Sequence, residues 1–219
     1  MRGGVLIAPV ALIGCSGPLS TLQPGGATAT EIAWLWWVML AGAVALTMMM
    51  VVLIAMAFGA PRDTGARVWT HGMGLAFSLV VLSATLGAGL WVGERILPRD
   101  DGAVEVRARA FQWGWRFTHT DSDGNPVETD GLLHIPAGQP VDVLITSEDV
   151  IHSFWVPRLA GKLDAIPGRT NRARISADAP GTYAGLCAEF CGLGHARMRF
   201  DVQAHDTWPP ALPDESEAP

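Results

Sequence analysis

Charge is scarce in the first hundred positions of this 219-residue chain, and the chain as a whole has no excess of positive charge. Almost all acids and bases lie after Pro98, so an apolar N-terminal part precedes a polar C-terminal part. That division predicts one part in lipid and one in water. The net charge of −6 argues against nucleic acid as a partner, because phosphate binding requires clustered Lys and Arg.

Cysteine is scarce as well. Three cysteines cannot form an even set of disulfides, so the stability of the chain does not rest on such bridges. Cys15 ends the stretch LIGC, after a positive start and a short apolar run, and this resembles the cleavage box of a bacterial lipoprotein signal. We therefore expect residues 1–15 to be a signal peptide with Cys15 as its lipid anchor; the alternative is a chance cysteine in an apolar leader. Cys187 and Cys191 remain as a pair.

Two long segments lack charge, and each is long enough to cross the ~30 Å hydrocarbon core of a bilayer. They run from Ile32 to Phe58 and from about Trp69 to Val92. Residues 16–30, rich in Gly, Pro, Ser and Thr, are predicted to be a linker, and residues 31–97 a transmembrane helix hairpin. Two buried helices of a soluble protein are the alternative.

The charges beside these segments predict the orientation of the hairpin. Arg62 and Arg67 lie in the short loop between the two segments, which places that loop in the cytoplasm by the positive-inside rule. The N-terminus and everything after Arg95 would then lie on the outer side. In a bacterium, this means a multi-pass protein of the inner (plasma) membrane, in contact with lipid, whose C-terminal domain is periplasmic.

Long helical periodicity is missing after Val104, where short segments alternate with turns. VEVRARAF, VDVLITS, ARISA and MRFDVQA are typical of short strands, whereas DSDGNP and HIPAGQP are predicted to be loops. Several strands at close spacing indicate an antiparallel sandwich or barrel over residues 98–205. The proline-rich, acidic residues 206–219 are predicted to be a disordered tail.

The stretch CAEFCGLGHARM, residues 187–198, concentrates metal donors. Thiolate, imidazole and thioether ligands suit copper better than magnesium or calcium. Cys187, Cys191, His195 and Met198 need one further ligand, for which His152 is the candidate, and a second thiolate allows two bridged copper ions. A disulfide across a turn is the alternative for the two cysteines.

The same stretch resembles the dinuclear copper (CuA) motif of cytochrome c oxidase subunit II. Further segments resemble this family over about residues 31–205: FQWGWRF, EDVIHSFWVP, KLDAIPGR and PGTYAGLC. The resemblance implies a two-helix transmembrane hairpin followed by an all-β cupredoxin-like Greek-key sandwich or barrel. It also implies electron transfer from cytochrome c to the haem of subunit I, for reduction of O2 to water coupled to proton pumping, in an oxidase that includes subunit III.

The resemblance further implies roles for individual residues. Copper ligands are carried over by matching position: His152, Cys187, Glu189 (through its carbonyl), Cys191, His195 and Met198. The side chain of Glu189 would face a Mg²⁺ or Mn²⁺ ion shared with subunit I, and Asp164 matches an acid near that ion. Trp113 matches the tryptophan that accepts electrons from cytochrome c. Docking acids are expected near it: Asp121, Asp123, Glu128 and Asp130.

The chain also departs from this family. Its second helix begins WTHGMG, without the acid and proline of many members, which puts a role in admitting protons in doubt. No C-x-x-C-H haem motif is present, so an external carrier must supply electrons. Two other functions remain open. One is a copper-free quinol oxidase subunit, and the other is a membrane-anchored copper-delivery or thiol-redox protein, since C-x-x-x-C also occurs there.

Overall fold

The computed structural model describes residues 15–59, 65–121 and 124–210. The predicted signal peptide before Cys15, Arg62 of the inter-helix loop, Asp123 and the tail beyond residue 210 lie outside the described residues. Cys15 itself is exposed and carries a free thiol.

Two long apolar helices form the N-terminal half. Helix α1 spans Ala27–Ala57, so it begins inside the predicted linker. The second helical rod is π-helical over Val68–Phe77 and continues as α2, Ser78–Ile96. Both rods are long and apolar enough to cross a membrane, and almost none of their surface is buried within the chain. Most apolar side chains of the two rods are exposed, apart from Ala29, Ala33 and Val92, and such a surface suits a lipid environment.

Ten strands in two five-stranded sheets form the C-terminal half. They are β1 Val104–Phe111, β2 Gly114–Thr120, β3 Pro126–Asp130, β4 Leu132–Pro136, β5 Pro140–Ser147, β6 His152–Trp155, β7 Leu163–Ala165, β8 Asn171–Ser176, β9 Gly181–Cys187 and β10 Arg199–His205. One sheet has the order β3-β2-β1-β5-β8, and the other β4-β10-β9-β6-β7. The predicted pair of helices followed by an all-β sandwich is confirmed, but the expectation of antiparallel sheets is wrong, because β1 pairs with β5 and β4 pairs with β10 in parallel.

Alternation of apolar and polar residues produces the core between the sheets. In β1, for example, Val106, Ala108 and Ala110 are buried while their neighbours face outward. Trp115 lies at the centre, with ring contacts to Phe154 and Phe200 at centroid distances of 5.7 and 5.3 Å. The sandwich therefore has its own hydrophobic core, independent of the two apolar helices.

The segment HIPAGQP, predicted to be a loop, begins in strand β4 instead. In β4, the edge strand of the second sheet, His134 pairs with Gln203 of β10. His134 also meets His119 and His205, and we call these three residues the histidine trio. The backbone N–H of His134 donates to Nε2 of His119 at 2.9 Å, and Nδ1 of His134 lies 2.8 Å from Nε2 of His205.

The sandwich is attached firmly to the hairpin. The backbone N–H of Gly25 donates to the carbonyl of Arg158, and that of Ala29 donates to the carbonyl of Leu159. A Cβ on Gly26 would overlap the carbonyl oxygen of Ser176, so glycine is required where the chain enters α1. These contacts fix the start of α1 beside the end of the sandwich that carries the cysteines.

Candidate metal centre

Three strand ends bring the predicted donors to one end of the sandwich. His152 begins β6, Cys187 ends β9, and Met198 immediately precedes β10. Because β9 pairs with both β6 and β10, these ends must meet. Cys191 and His195 lie in the loop that joins β9 to β10, and a short 3-10 turn over His195–Arg197 brings the chain back to Met198.

The six donors predicted from the sequence converge, and we call them the donor cluster. Its sulfur-centred distances are 3.9 Å between the Cys187 and Cys191 Sγ atoms, 3.8 Å from Cys187 Sγ to His152 Nδ1, 3.7 Å from Cys191 Sγ to His195 Nδ1, 3.7 Å from Cys191 Sγ to Met198 Sδ, and 3.2 Å from Cys187 Sγ to the carbonyl oxygen of Glu189. Each thiol thus has one imidazole beside it, and the two thiols lie between the imidazoles.

The cysteine pair is reduced and shielded from solvent. Both thiols are free and buried, and their separation of 3.9 Å is far longer than the ~2.05 Å of a disulfide bond. Burial, together with the neighbouring Cys187, raises the pKa of the Cys191 thiol to about 11. Only a cation placed between the sulfurs would make the doubly deprotonated state favourable, so the pair is suited to a thiolate-binding metal.

The donor types fit copper. Two sulfurs, two imidazole nitrogens and a thioether form a soft, nearly dry set, which copper accepts and hard cations do not. His152, Cys187 and Cys191 form a group whose ligand atoms lie within 4.8 Å of one another, as one ion requires. Met198 is 1% exposed and His152 is fully buried, so water is kept from the centre.

Asp149 is a supporting residue that sequence reasoning missed. Its Oδ1 lies 2.9 Å from Nε2 of His152, which leaves Nδ1 of that ring to face the sulfurs. The backbone N–H groups of Gln112 and Val150 donate to the same carboxylate at 2.8 and 2.6 Å. Burial opposes ionisation of Asp149, but these hydrogen bonds outweigh it and hold its pKa below the ordinary value. Its position three residues before His152 was the available signal.

Trp113 lies in the turn between β1 and β2, against the donor loop. The indole Nε1–H of Trp113 and the side-chain amide of Gln112 both donate to the carbonyl of Cys191, at 3.2 and 2.7 Å. The indole covers Gly194, where a Cβ would come within 2.4 Å of the ring. Trp113 is 43% exposed, whereas Trp115 is buried, so the two tryptophans do not share one face.

The two acids predicted near a second ion border one open cavity of about 620 Å³, which is also lined by Ile151, Phe190 and Gly192. Glu189 is exposed there and Asp164 is half-buried. The cavity lies directly over Cys191, so its lining and the donor cluster share one loop. Phe190 and Leu193 project from that loop with exposures of 77% and 95%, which makes the rim of the site apolar.

Two of the acids predicted to dock a basic carrier are paired within the sandwich. Arg109 Nη2 lies 3.0 Å from Glu128 Oε1, and Arg116 Nε lies 2.9 Å from Asp130 Oδ1. Both carboxylates remain more than half exposed. Asp121 accepts the backbone N–H of Asn125 and so shapes the turn before β3. The negative face is therefore weaker than the sequence alone suggested.

Comparison with known proteins supports this description. The family model for "Cytochrome C oxidase subunit II, periplasmic domain" matches residues 120–205. A protein of Alkalihalophilus pseudofirmus named cytochrome c oxidase subunit 2 is 38% identical over 124 residues, which are 54% of this chain and 35% of that protein. The chain thus spans about a third of the length of this relative.

Solved structures of similar proteins are also found. The periplasmic domain of subunit II of cytochrome oxidase from Bradyrhizobium japonicum is 28% identical, with a TM-score of 0.45, over 51% of this chain and 88% of that one. A chain from a heme-copper terminal oxidase dimer is 23% identical, with a TM-score of 0.49, over 62% and 99%. Over residues 120–205, the sandwich domain of this chain is similar to the periplasmic domain of cytochrome c oxidase subunit II.

Proposed function

We propose that this chain is the electron-transfer subunit of a membrane haem–copper oxidase and holds a dinuclear copper centre. The observation that carries the proposal is the convergence of two buried free thiols, two imidazoles and a thioether at one end of the sandwich. The family match over residues 120–205 supports the same role. When bound, the two coppers would share one electron and so accept or release it with little rearrangement.

The ligands would be divided between two ions. Cys187 and Cys191 would bridge both, His152 and Met198 would complete one ion, and His195 and the Glu189 carbonyl would complete the other. The position of the two sulfurs between the two imidazoles supports the bridging role, and the assignment of Met198 and the Glu189 carbonyl to particular ions is carried over from the family resemblance. No nucleophile or general base is needed, because this chain would move electrons while O2 reduction takes place in another subunit.

The residues around the cluster would keep its geometry constant during electron transfer. Asp149 orients the His152 ring, while Gln112 and Trp113 hold the carbonyl of Cys191. Buried, hydrogen-bonded ligands cannot swing when the charge of the centre changes. Burial of the two thiols, His152 and Met198 limits the water at the centre, so the surrounding solvent has little to reorganise.

Electrons would enter through Trp113. Its ring is partly exposed at one side and is hydrogen-bonded to the donor loop at the other, so it links the surface with Cys191. The donor would be cytochrome c, attracted by Glu128, Asp130 and neighbouring acids around this surface. Since arginines already pair with both residues, we expect only a modest fall in the association rate as salt increases.

The remaining partners would be subunits I and III of the oxidase. The cavity between Glu189 and Asp164 would face subunit I and share a Mg²⁺ or Mn²⁺ ion with it. The apolar helices anchor the chain in the membrane. With Arg67 and Arg62 in the loop between them, the sandwich would lie on the outer side of a bacterial plasma membrane.

Stopped-flow reduction of the copper-loaded full-length chain by reduced cytochrome c tests this role. We expect rapid electron transfer that is slowed strongly in Trp113→Phe and unchanged in Trp36→Phe, which alters a tryptophan of α1 instead. Equal rates in both variants would contradict transfer through Trp113. Transfer of copper to an acceptor protein without any electron transfer would instead support the copper-delivery function.

A further inference from the structure

A polar cavity of about 330 Å³ lies where the hairpin meets the sandwich, and none of its lining residues belongs to the donor cluster. We call it the interfacial cavity. Its polar lining consists of Thr28, Glu31, Arg95, Arg99, Arg174 and Ser176. It therefore combines the first turn of α1, the end of α2 and the end of β8.

Tryptophans place this cavity at a definite depth. Trp34 of α1 and Trp91 of α2 touch with ring centroids 5.7 Å apart, one turn below the cavity. Arg95 lies over the Trp91 ring at 4.7 Å. Indole rings favour the boundary between hydrocarbon and headgroups, and a long basic side chain reaches from there into the headgroup layer. The cavity is thus level with lipid phosphates.

Of the three arginines that line the cavity, two are in ion pairs. Arg95 is paired with Glu31 at 2.6 Å, and Arg174 is paired with the buried carboxylate of Asp142 at 2.8 Å. For the guanidinium of Arg99, no ion pair or hydrogen bond is present among the described residues. Its backbone is nevertheless fixed, because its carbonyl accepts from Arg174 Nη2 at 2.7 Å and from Arg172 Nη2 at 3.2 Å. A held backbone with an unpaired guanidinium is suited to binding an anion.

The start of α1 adds to this positive field. Its N-cap is Gly26, which offers no side chain to the helix, and the first turn contains no acid that would offset the helix dipole. Ser176 accepts the N–H of Ala27 at 3.1 Å, so part of the helix end is already satisfied. The dipole reinforces the arginines and does not constitute the site.

We propose that the interfacial cavity binds the phosphate of an anionic phospholipid in the outer leaflet, with Arg99 as its main contact. The depth set by the tryptophans favours a lipid over a soluble anion, because the acyl chains can lie against the exposed apolar faces of α1 and α2. The single carboxylate of the lining, Glu31, is held by Arg95 and does not have to be displaced. Bound lipid would join the membrane helices to the sandwich and so stabilise the orientation of the donor cluster above the bilayer. This proposal depends on membrane anchoring alone, so it can fail while the electron-transfer proposal stands, and the reverse.

The test uses the full-length chain, stripped of lipid in an uncharged detergent. Short-chain phosphatidylglycerol, short-chain phosphatidylcholine and inorganic phosphate are each titrated while the midpoint of thermal unfolding is followed. We expect the midpoint to rise with phosphatidylglycerol only, because ligand binding to the folded state raises it. Arg99→Gln is expected to weaken this response about tenfold in lipid concentration, and Arg99→Lys less so.

Arg107→Gln is the matched control. Arg107 is an exposed arginine on the outer face of β1 with the same change of charge, and it should leave the lipid response unchanged. An equal response to phosphatidylcholine, or an unaltered response in Arg99→Gln, would overturn the proposal. A rise produced equally by inorganic phosphate would also overturn it, since the ligand would then be a free anion and not a lipid.

Discussion

The two ends of the sandwich each contain buried histidines, but the groups in contact with the histidine rings differ between the ends. At one end, His152 has a carboxylate at one ring nitrogen and a thiol at the other. At the opposite end of β10, His119 and His134 meet mainly each other and His205. Seven residues of strand, at roughly 3.3 Å each, place these ends about 20 Å apart.

The different ring contacts of the two groups indicate which surroundings suit a buried histidine to bind a metal. In the histidine trio, burial and the neighbouring imidazoles lower the pKa values of His119 and His134 to about 4, so both rings are neutral at pH 7. Nε2 of His119 is already occupied by a backbone N–H, and in the part of the chain that the structure describes no sulfur or carboxylate is hydrogen-bonded to the trio. At the donor cluster, each imidazole lies beside a thiol, which is a second type of metal donor. Position alone does not suit a buried histidine to bind a metal; at this end each imidazole has a thiol beside it, and His152 has a carboxylate behind its ring as well.

Removal of one of the two proposed bridging sulfurs should have the largest effect on copper binding at the donor cluster. In Cys187→Ser the centre loses a bridge between the two sites, so we expect at most one copper per chain and loss of the two-copper spectrum. The matched change Cys15→Ser removes an exposed thiol and should have no effect on copper. Copper content by atomic absorption, with circular dichroism to confirm folding, decides the outcome. Two coppers in Cys187→Ser would refute the bridging role.

A lower pH should destabilise the end of the sandwich that contains the histidine trio. Because the pKa of His119 is lowered from 6.5 to about 4 in the folded chain, the unfolded chain binds a proton more readily between these pH values. The free energy of unfolding is therefore highest above pH 6.5 and falls as the pH decreases from 6.5 towards 4. For His119 the loss at about pH 4.5 is roughly 2–3 kcal/mol of unfolding free energy. His119→Gln can still accept the N–H of His134 and cannot be protonated.

The measurement is urea unfolding of the copper-free chain in detergent, followed by tryptophan fluorescence. The free energy of unfolding should fall less between pH 7 and 4.5 in His119→Gln than in the unaltered chain. An identical pH dependence would show that the trio is not responsible for it.

Loss of the supporting carboxylate should weaken the donor cluster without abolishing it. In Asp149→Asn the His152 ring loses its charged partner, and partners of this kind typically contribute about 10- to 100-fold to metal affinity. Competition with a copper chelator measures the affinity. Asp178→Asn, an exposed acid away from the cluster, is the control. Unchanged affinity in Asp149→Asn would mean that His152 is held by packing alone.

The smallest effect is expected for Gln112→Ala. This change removes one hydrogen bond to the Cys191 carbonyl, at a cost of about 1 kcal/mol in unfolding free energy. The Trp113 bond to the same carbonyl remains, so the copper spectrum should change little. Loss of all bound copper would show that Gln112 is essential to the loop.

Much of this architecture could be predicted from the sequence, because the signals are local. The charge-free runs predict the hairpin, the alternation in VEVRARAF predicts β1, and CAEFCGLGHARM contains most of the donors. His152 needed the resemblance to a known family, since nothing local marks it as a ligand. The structure then brought all six predicted donors together.

The features that were missed depend on contacts between distant parts of the chain. Gln112 and Asp149 meet only because the β1–β2 turn lies over the start of β6. HIPAGQP contains turn-forming residues, yet β10 pairs with its first half and forces His134 into a strand. Trp113 and Trp115 are two residues apart, a spacing that would place them on one face of a single strand, but the turn at Trp113 separates them.

Electron paramagnetic resonance of the copper-loaded full-length chain, with copper counted on the same sample, tests the central claim most directly. We expect two coppers per chain and a hyperfine pattern from one unpaired electron shared equally by two copper nuclei. The pattern should disappear in Cys187→Ser and in Cys191→Ser. One copper per chain with a pattern from a single nucleus, or retention of the shared pattern in either variant, would contradict the account.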